Sequence, residues 1–413
     1  MLRIFHGFSQ LLTLAPSRNF DPGVITGAAI AVSDGKIIAA GREKEILGNP
    51  LFKKAEKIKI GGVAVPSFVD SHTHAVFAEP RLQDFSLRTS GLSYKEIKEK
   101  GGGIISSVRA IRAADKKELE DKLLGWSGKF IENGTGTVEV KSGYGLDAQN
   151  EIKILETIKA ASSKTELELI PTFLGAHSLP EEFSKPDKYL KYLTKEVLPV
   201  IKKRKLAVFA DIFCEEGYFS PSESLAYLKA CLSAGLKPKI HAEQLKNYGG
   251  AAVAASVKAV SADHMDYTAL KDLPSLARAK TVVTFLPASN YFLGLSHFQD
   301  ARPFIEKGVT IAIATDFNPG TCPCFNMQFV LSCAVTHMKM TVEQAFFAST
   351  LNGAKALNLD SRIGSLEKGK QADISVFDVK DYRELAYYFG SNLNIATIKK
   401  GRIIYEKDNT VRC

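Results

Sequence analysis

The chain has 413 residues, 45% hydrophobic and 24% charged, a composition that excludes disordered and fibrous proteins and a length beyond one small core. Its net charge of +9 comes from lysines scattered along helical stretches, such as Lys95, Lys98 and Lys100 or Lys202, Lys203 and Lys205. No aromatic residues interleave with them, which argues against nucleic-acid binding, although such a field favours an anionic small molecule.

From the N-terminus, residues 1–60 read as short strands and turns, with Ala28 to Val32 and Lys36 to Ala40 flanking an Asp34-Gly35 hairpin turn. The opening MLRIFHGFSQLL has no charged segment followed by a long apolar run, and no stretch reaches the length of a membrane span, so no membrane association and a cytoplasmic location are expected. The C-terminal end repeats the strand character at Ala372 to Val379 and Ile395 to Tyr405. Neither end makes a sheet core alone, which predicts one small β-sandwich domain built from 1–60 plus 365–413.

Between them, in 61–364, apolar runs alternate with amphipathic helical stretches. The runs are Val63 to Val69, Gly136 to Val140, Leu167 to Phe173, Ala207 to Phe213, Pro238 to Ile240, Ala259 to Ala262, Thr281 to Leu286 and Val309 to Ala314. Eight such units predict an α/β protein with a (β/α)8 TIM-like barrel, whose functional residues stand at the C-terminal ends of the strands.

Each of these runs gives way to polar residues. His72 and His74 come after the first, Lys141 to Gly145 after the second, His177 after the third, and Cys214-Glu215-Glu216 after the fourth. His241 and Gln244 come after the fifth, Asp263-His264 after the sixth, Ser289-Asn290 after the seventh, and Asp316 to Gly320 after the eighth. Five of the eight histidines therefore fall at strand ends, and the one-residue spacing of His72 and His74 puts both on one face. Histidine nitrogens with a carboxylate suit a divalent or trivalent metal ion, zinc or iron, with room left for water. The six cysteines, at 214, 231, 322, 324, 333 and 413, form no paired framework, and reduced thiols are expected. The Cys322-Pro323-Cys324 pair, His297 and His337 read as structural.

The histidine pair after the first run, the histidines after the fifth and sixth and the aspartate after the eighth resemble the amidohydrolase superfamily of metal-dependent hydrolases, and the stretches FVDSHTHAVFA, GLSYKEIKEKGGGI, VEVKSGYGLD, TFLGAH, DIFCEEGYFS, IHAEQL, SADHMD and ATDFNPGT, in that order, resemble one family inside it. Within it the chain most resembles the imidazolonepropionase family, the KSGYGL and ATDFNPG stretches setting it apart from deaminases and dihydropyrimidinases. The resemblance implies hydrolytic ring opening of 4-imidazolone-5-propanoate to N-formimino-L-glutamate in L-histidine degradation, by attack of a metal-bound hydroxide. It implies one metal per subunit on His72, His74, His241 and Asp316, because the lysine that bridges two metals after strand four is replaced by Cys214-Glu215. Arg81 would clamp the substrate carboxylate, with Tyr144, His177, Gln244, Asn318, Gly320 and Thr321 lining the substrate pocket. His264, Asp316 and Gln244 would carry the chemistry. Some members have a glutamate at the position of Gln244; an amide takes no proton, which leaves base duty to Asp316 or His264. A homodimer is the family tendency. The competing expectation is another mononuclear amidohydrolase, acting on a cyclic amidine or a nucleobase and needing no carboxylate clamp.

Overall fold

The computed structural model describes residues 1–408 except 18 and 93; Cys413 and the side chains of Lys95 and Lys98 lie outside the described residues. From the N-terminus come β1 (Leu2–Leu12), β2 (Val24–Ser33), β3 (Lys36–Arg42), β4 (Glu56–Lys59) and β5 (Val63–Pro66). Eight more strands succeed them, β6 (Phe68–Asp70), β7 (Thr135–Lys141), β8 (Glu168–Ala176), β9 (Phe209–Cys214), β10 (Lys237–Ala242), β11 (Ser261–His264), β12 (Val282–Phe285) and β13 (Ile311–Ile313). The chain ends in β14 (Ile374–Phe377), β15 (Asn394–Lys399) and β16 (Arg402–Glu406).

Strands from the two ends share one sheet in the order β16-β15-β14-β5-β1-β2-β3, with β4 also on β1. Asp34 and Gly35, at φ 52° and 78°, make the expected hairpin turn, since both central positions of such a turn need left-handed backbone. Phe5, Phe8, Ile30, Ile374 and Ile398 form the shared core, which is why neither end suffices alone. The first apolar run departs from expectation. Val63 to Val69 is not a single barrel strand: Val63–Pro66 pairs with β1 and β14 in the terminal sheet, and only Phe68–Asp70 joins the barrel. A continuous apolar run looks the same whichever sheet receives it.

Strands β6 to β13 are parallel and consecutive. The seam between β13 and β6 closes just above the strands, where His74 N–H donates to Phe317 O at 2.8 Å. Asp70 latches it, accepting from Thr315 N–H at 3.1 Å and Thr315 Oγ1 at 2.6 Å. Alternation sorts the barrel: along β7, Val138 and Val140 pack outward into the apolar core, and Glu139 and Lys141 point to the axis.

The terminal sheet abuts the N-terminal end of the barrel, the end away from the polar strand termini. Phe377 packs on Phe68 at 5.8 Å between ring centroids, and Ser375 Oγ bridges Ser67 and Gly134 O. Lys399 reaches Asp373 at 2.8 Å and Glu168, at the start of β8, at 3.2 Å.

Candidate metal centre and active site

At the C-terminal ends of the barrel strands, His72 Nε2 and His74 Nε2 lie 3.6 and 3.8 Å from Asp316 Oδ1, and His74 Nε2 lies 3.4 Å from His241 Nε2. A tetrahedral site with bonds near 2.1 Å has edges of about 3.4 Å, so these donors surround a space of the right size for one ion. His72 Nε2 is buried without a hydrogen-bond partner, as a nitrogen reserved for a cation would be. Burial holds His72 and His74 well below the ordinary histidine pKa, which keeps their nitrogens available as neutral donors. Burial pushes Asp316 up to about 6. The donor set fits zinc or iron.

Beneath these donors lies a charged layer that sequence alone does not reveal. His72 Nδ1 donates to Asp263 Oδ2 at 2.7 Å, and His241 Nδ1 stands 2.9 Å from Asp211 Oδ2. Asp263 thereby sets the orientation of the His72 imidazole and turns its Nε2 toward the candidate ion site, and Asp211 holds the His241 backbone by accepting its N–H at 3.1 Å. Lys141 Nζ meets Asp211 at 2.7 Å, Glu139 at 3.0 Å and Asp263 at 3.2 Å, and Lys239 Nζ meets Glu139 at 2.6 Å. All five side chains are fully buried, so each charge depends on the others. Their sequence signal is polar residues at alternate positions of otherwise apolar strands, Glu139 with Lys141 and Lys239 with His241.

One site residue depends on a break in that alternation. Asp263 points to the axis, so the next residue on a regular strand would point outward; His264 has φ 74° and turns back over the site. Asp316 also has left-handed backbone, at φ 57°, beyond the end of β13. Left-handed backbone in such residues costs of order 1 kcal/mol and tends to occur at functional sites. Glu243, at φ 53°, turns away from the cavity and accepts from Ala251 N–H at 3.2 Å, which leaves Gln244 on the cavity wall.

The donors open into a cavity of about 410 Å³ whose wall includes Arg81, Tyr144, His177, Gln244, His264, Asn318 and Thr321. Tyr144 rides on the Lys141–Leu146 loop, which is shaped from below: the buried Glu151 carboxylate accepts the N–H groups of Gly145 at 2.8 Å and Leu146 at 2.9 Å, and both its oxygens lie 3.2 Å from Gly143 N. His177 stacks on His74 at 5.1 Å; burial and the neighbouring His241 push its pKa down to about 3, so it stays neutral. Gly320 is not on the cavity wall but makes room for Arg81, since a Cβ there would fall 2.0 Å from Arg81 Cζ. The Asn318 amide is spent inside its own loop, donating to Asp316 O and Thr321 Oγ1 and accepting from Gly320 and Thr321 N–H. A second guanidinium, Arg88, lies over Phe292 at 4.8 Å at the cavity wall and was not expected. Cys322 and Cys324 are free thiols, and burial raises both above the ordinary thiol range, Cys324 to about 11.

The amidohydrolase family model matches residues 63–404. An imidazolonepropionase of Symbiobacterium thermophilum is 38% identical over 415 residues, covering 98% of each chain. One from Syntrophobacter fumaroxidans is 42% identical, covering 94% of this chain and 92% of its own. Among solved structures, E. coli guanine deaminase superposes with a TM-score of 0.75 at 18% identity, covering 99% of this chain and 100% of its own, a likeness of fold alone. With a metal-type donor cluster at the strand ends of a (β/α)8 barrel and full-length relatives of this kind, the chain belongs to the amidohydrolase family and, within it, to the imidazolonepropionases.

Proposed function

We propose that the chain opens the ring of 4-imidazolone-5-propanoate by hydrolysis, giving N-formimino-L-glutamate, with one zinc or iron ion held by His72, His74, His241 and Asp316. The observation that carries this reading beyond a generic hydrolase is the buried Arg81 guanidinium on the wall of the cavity that holds the donor cluster. Its Nε is buried with no hydrogen-bond partner, and Asp84 Oδ2 comes no nearer than 3.9 Å. A planar fork left this free favours a substrate carboxylate, which nucleobases lack.

When bound, the ion supplies Lewis-acid chemistry, polarising the ring carbonyl and acidifying water. Arg81 anchors the propionate, which sets the ring's distance from the donor cluster. Neutral His177 and Tyr144 flank the ring, and Gln244 orients it through its amide. His264 and Asp316 are the groups able to accept a proton there. A single ion is favoured because Lys141 is tied to three carboxylates and buried Cys214, its thiol pushed up to about 11, ends β9. No helix among the described residues is long and apolar enough to cross a membrane. A cytoplasmic homodimer is the expected setting.

The test is an absorbance assay with freshly generated imidazolone propionate, on the protein as purified, after metal removal, and as Arg81→Ala. Substrate loss that needs both metal and Arg81 supports the reading. No turnover by the fully metallated protein would overturn it.

A further inference from the structure

Two polar atoms beside the site lack partners and face each other. His264 Nδ1 and Asp266 Oδ2 are both sealed from solvent without a hydrogen bond, and they stand 3.9 Å apart. Consecutive left-handed residues, His264 at φ 74° and Met265 at φ 59°, fold the chain back and bring the two side chains together. Asp266 is otherwise fixed. Asn290 Nδ2 donates to its other oxygen, Oδ1, at 2.7 Å. His297 Nε2 lies 2.6 Å from its backbone carbonyl, with the His297 ring stacked on Tyr267 at 4.6 Å. The carboxylate is thus held on one side and left with a single free oxygen on the side of the imidazole.

We infer that Asp266 is the positioning residue of His264, accepting Nδ1–H so that Nε2, the ring nitrogen toward the cavity, keeps its lone pair for the reaction. Leaving either buried atom unpaired is unfavourable, so a small turn of the imidazole that closes the gap is favoured. Such bonds are commonly long before substrate binds and tighten in the complex. The inference deepens the ring-opening reading and rests on it. As the oxygen of water bonds to the ring carbonyl carbon, His264 Nε2 takes its proton. As the carbon–nitrogen bond breaks, the same proton passes to the departing ring nitrogen, leaving His264 as it began. Gln244 offers no equivalent acceptor. Asn290 and His297 then act one step further out, by holding Asp266.

Asp266→Asn tests this, because an amide keeps the acceptor for Asn290 but presents N–H to His264, favouring the tautomer with the proton on Nε2. The parent and variant are compared with their metal in place. A kcat lowered at least 100-fold, with KM and metal content unchanged and part of the rate restored by Asp266→Glu, is the expected result. The imidazole 15N shifts of His264 in zinc-loaded protein give a readout independent of turnover: the proton is expected on Nδ1 in the parent and on Nε2 in Asp266→Asn. A variant kcat within threefold of an active parent, or a parent His264 carrying its proton on Nε2 alone, overturns the inference while leaving the ring-opening reading intact. An inactive, fully metallated parent overturns the reading itself, and the proton route with it.

Discussion

The backbone N–H of Asp316 donates to the carbonyl of His72 at 3.1 Å. The two residues are far apart in sequence, and this bond sits on the seam where the last barrel strand meets the first. Closing the barrel and assembling the candidate ion site are therefore one event: the same backbone pairing that removes the sheet's edges brings the carboxylate to the histidine pair.

If Asp263 orients His72, Asp263→Asn should lower metal affinity about 10- to 100-fold, because the imidazole loses the charge that fixes its tautomer and raises its basicity. His72→Ala should remove the metal altogether. Elemental analysis after dialysis against a weak chelator would read both, and full occupancy in Asp263→Asn would refute the orienting role.

Arg81 and Gly320 should behave as a pair. Arg81→Ala should raise KM roughly 10- to 100-fold, matching about 1.5–3 kcal/mol for a charge-assisted bond, with metal content unchanged. Gly320→Ala should raise KM in the same direction, since the new methyl group would stand 2.0 Å from Arg81 Cζ and displace the guanidinium. Michaelis–Menten analysis of both, with an unchanged KM in Gly320→Ala as the contrary result, tests the packing argument.

Glu151 predicts a fold effect with a catalytic consequence. Its carboxylate accepts from the turn that carries Tyr144, so Glu151→Ala should leave N–H groups of Gly145 and Leu146 buried and unpaired. A loss of about 2–3 kcal/mol in urea unfolding is expected, together with reduced turnover. Parent-like stability would show that water replaces the carboxylate.

Acid should loosen the contact between barrel and terminal sheet at one identifiable point. Burial alone would raise Glu168, but its hydrogen bond to Arg362 and the charge of Lys399 hold it below the ordinary glutamate range. A depressed folded pKa means stability that is present above the unfolded value, about 4.3, and lost as pH falls through the folded one. Glu168→Gln should thus be about 1–2 kcal/mol less stable than the parent at pH 7. The gap should narrow below about pH 4. Thermal unfolding at both pH values measures it; a gap independent of pH would place the effect in packing instead.

The periodic alternation of apolar runs with helical stretches, and the histidines after those runs, determined by themselves that this is a barrel with a metal-type site at one end. Alternation is a local property of the chain, so it survives in the sequence, and it is why His72, His74 and His241 were readable from the chain alone. Tertiary structure alone decided three other things. It assigned Val63–Pro66 to the terminal sheet, because burial on both faces gives the same apolar run in either sheet. It turned His264 inward through left-handed backbone, against the side that strand alternation assigns it. And it joined Glu139, Lys141, Asp211, Lys239 and Asp263 into one buried layer, because an isolated charge inside an apolar strand shows its partner only when strands distant in sequence meet at the barrel axis.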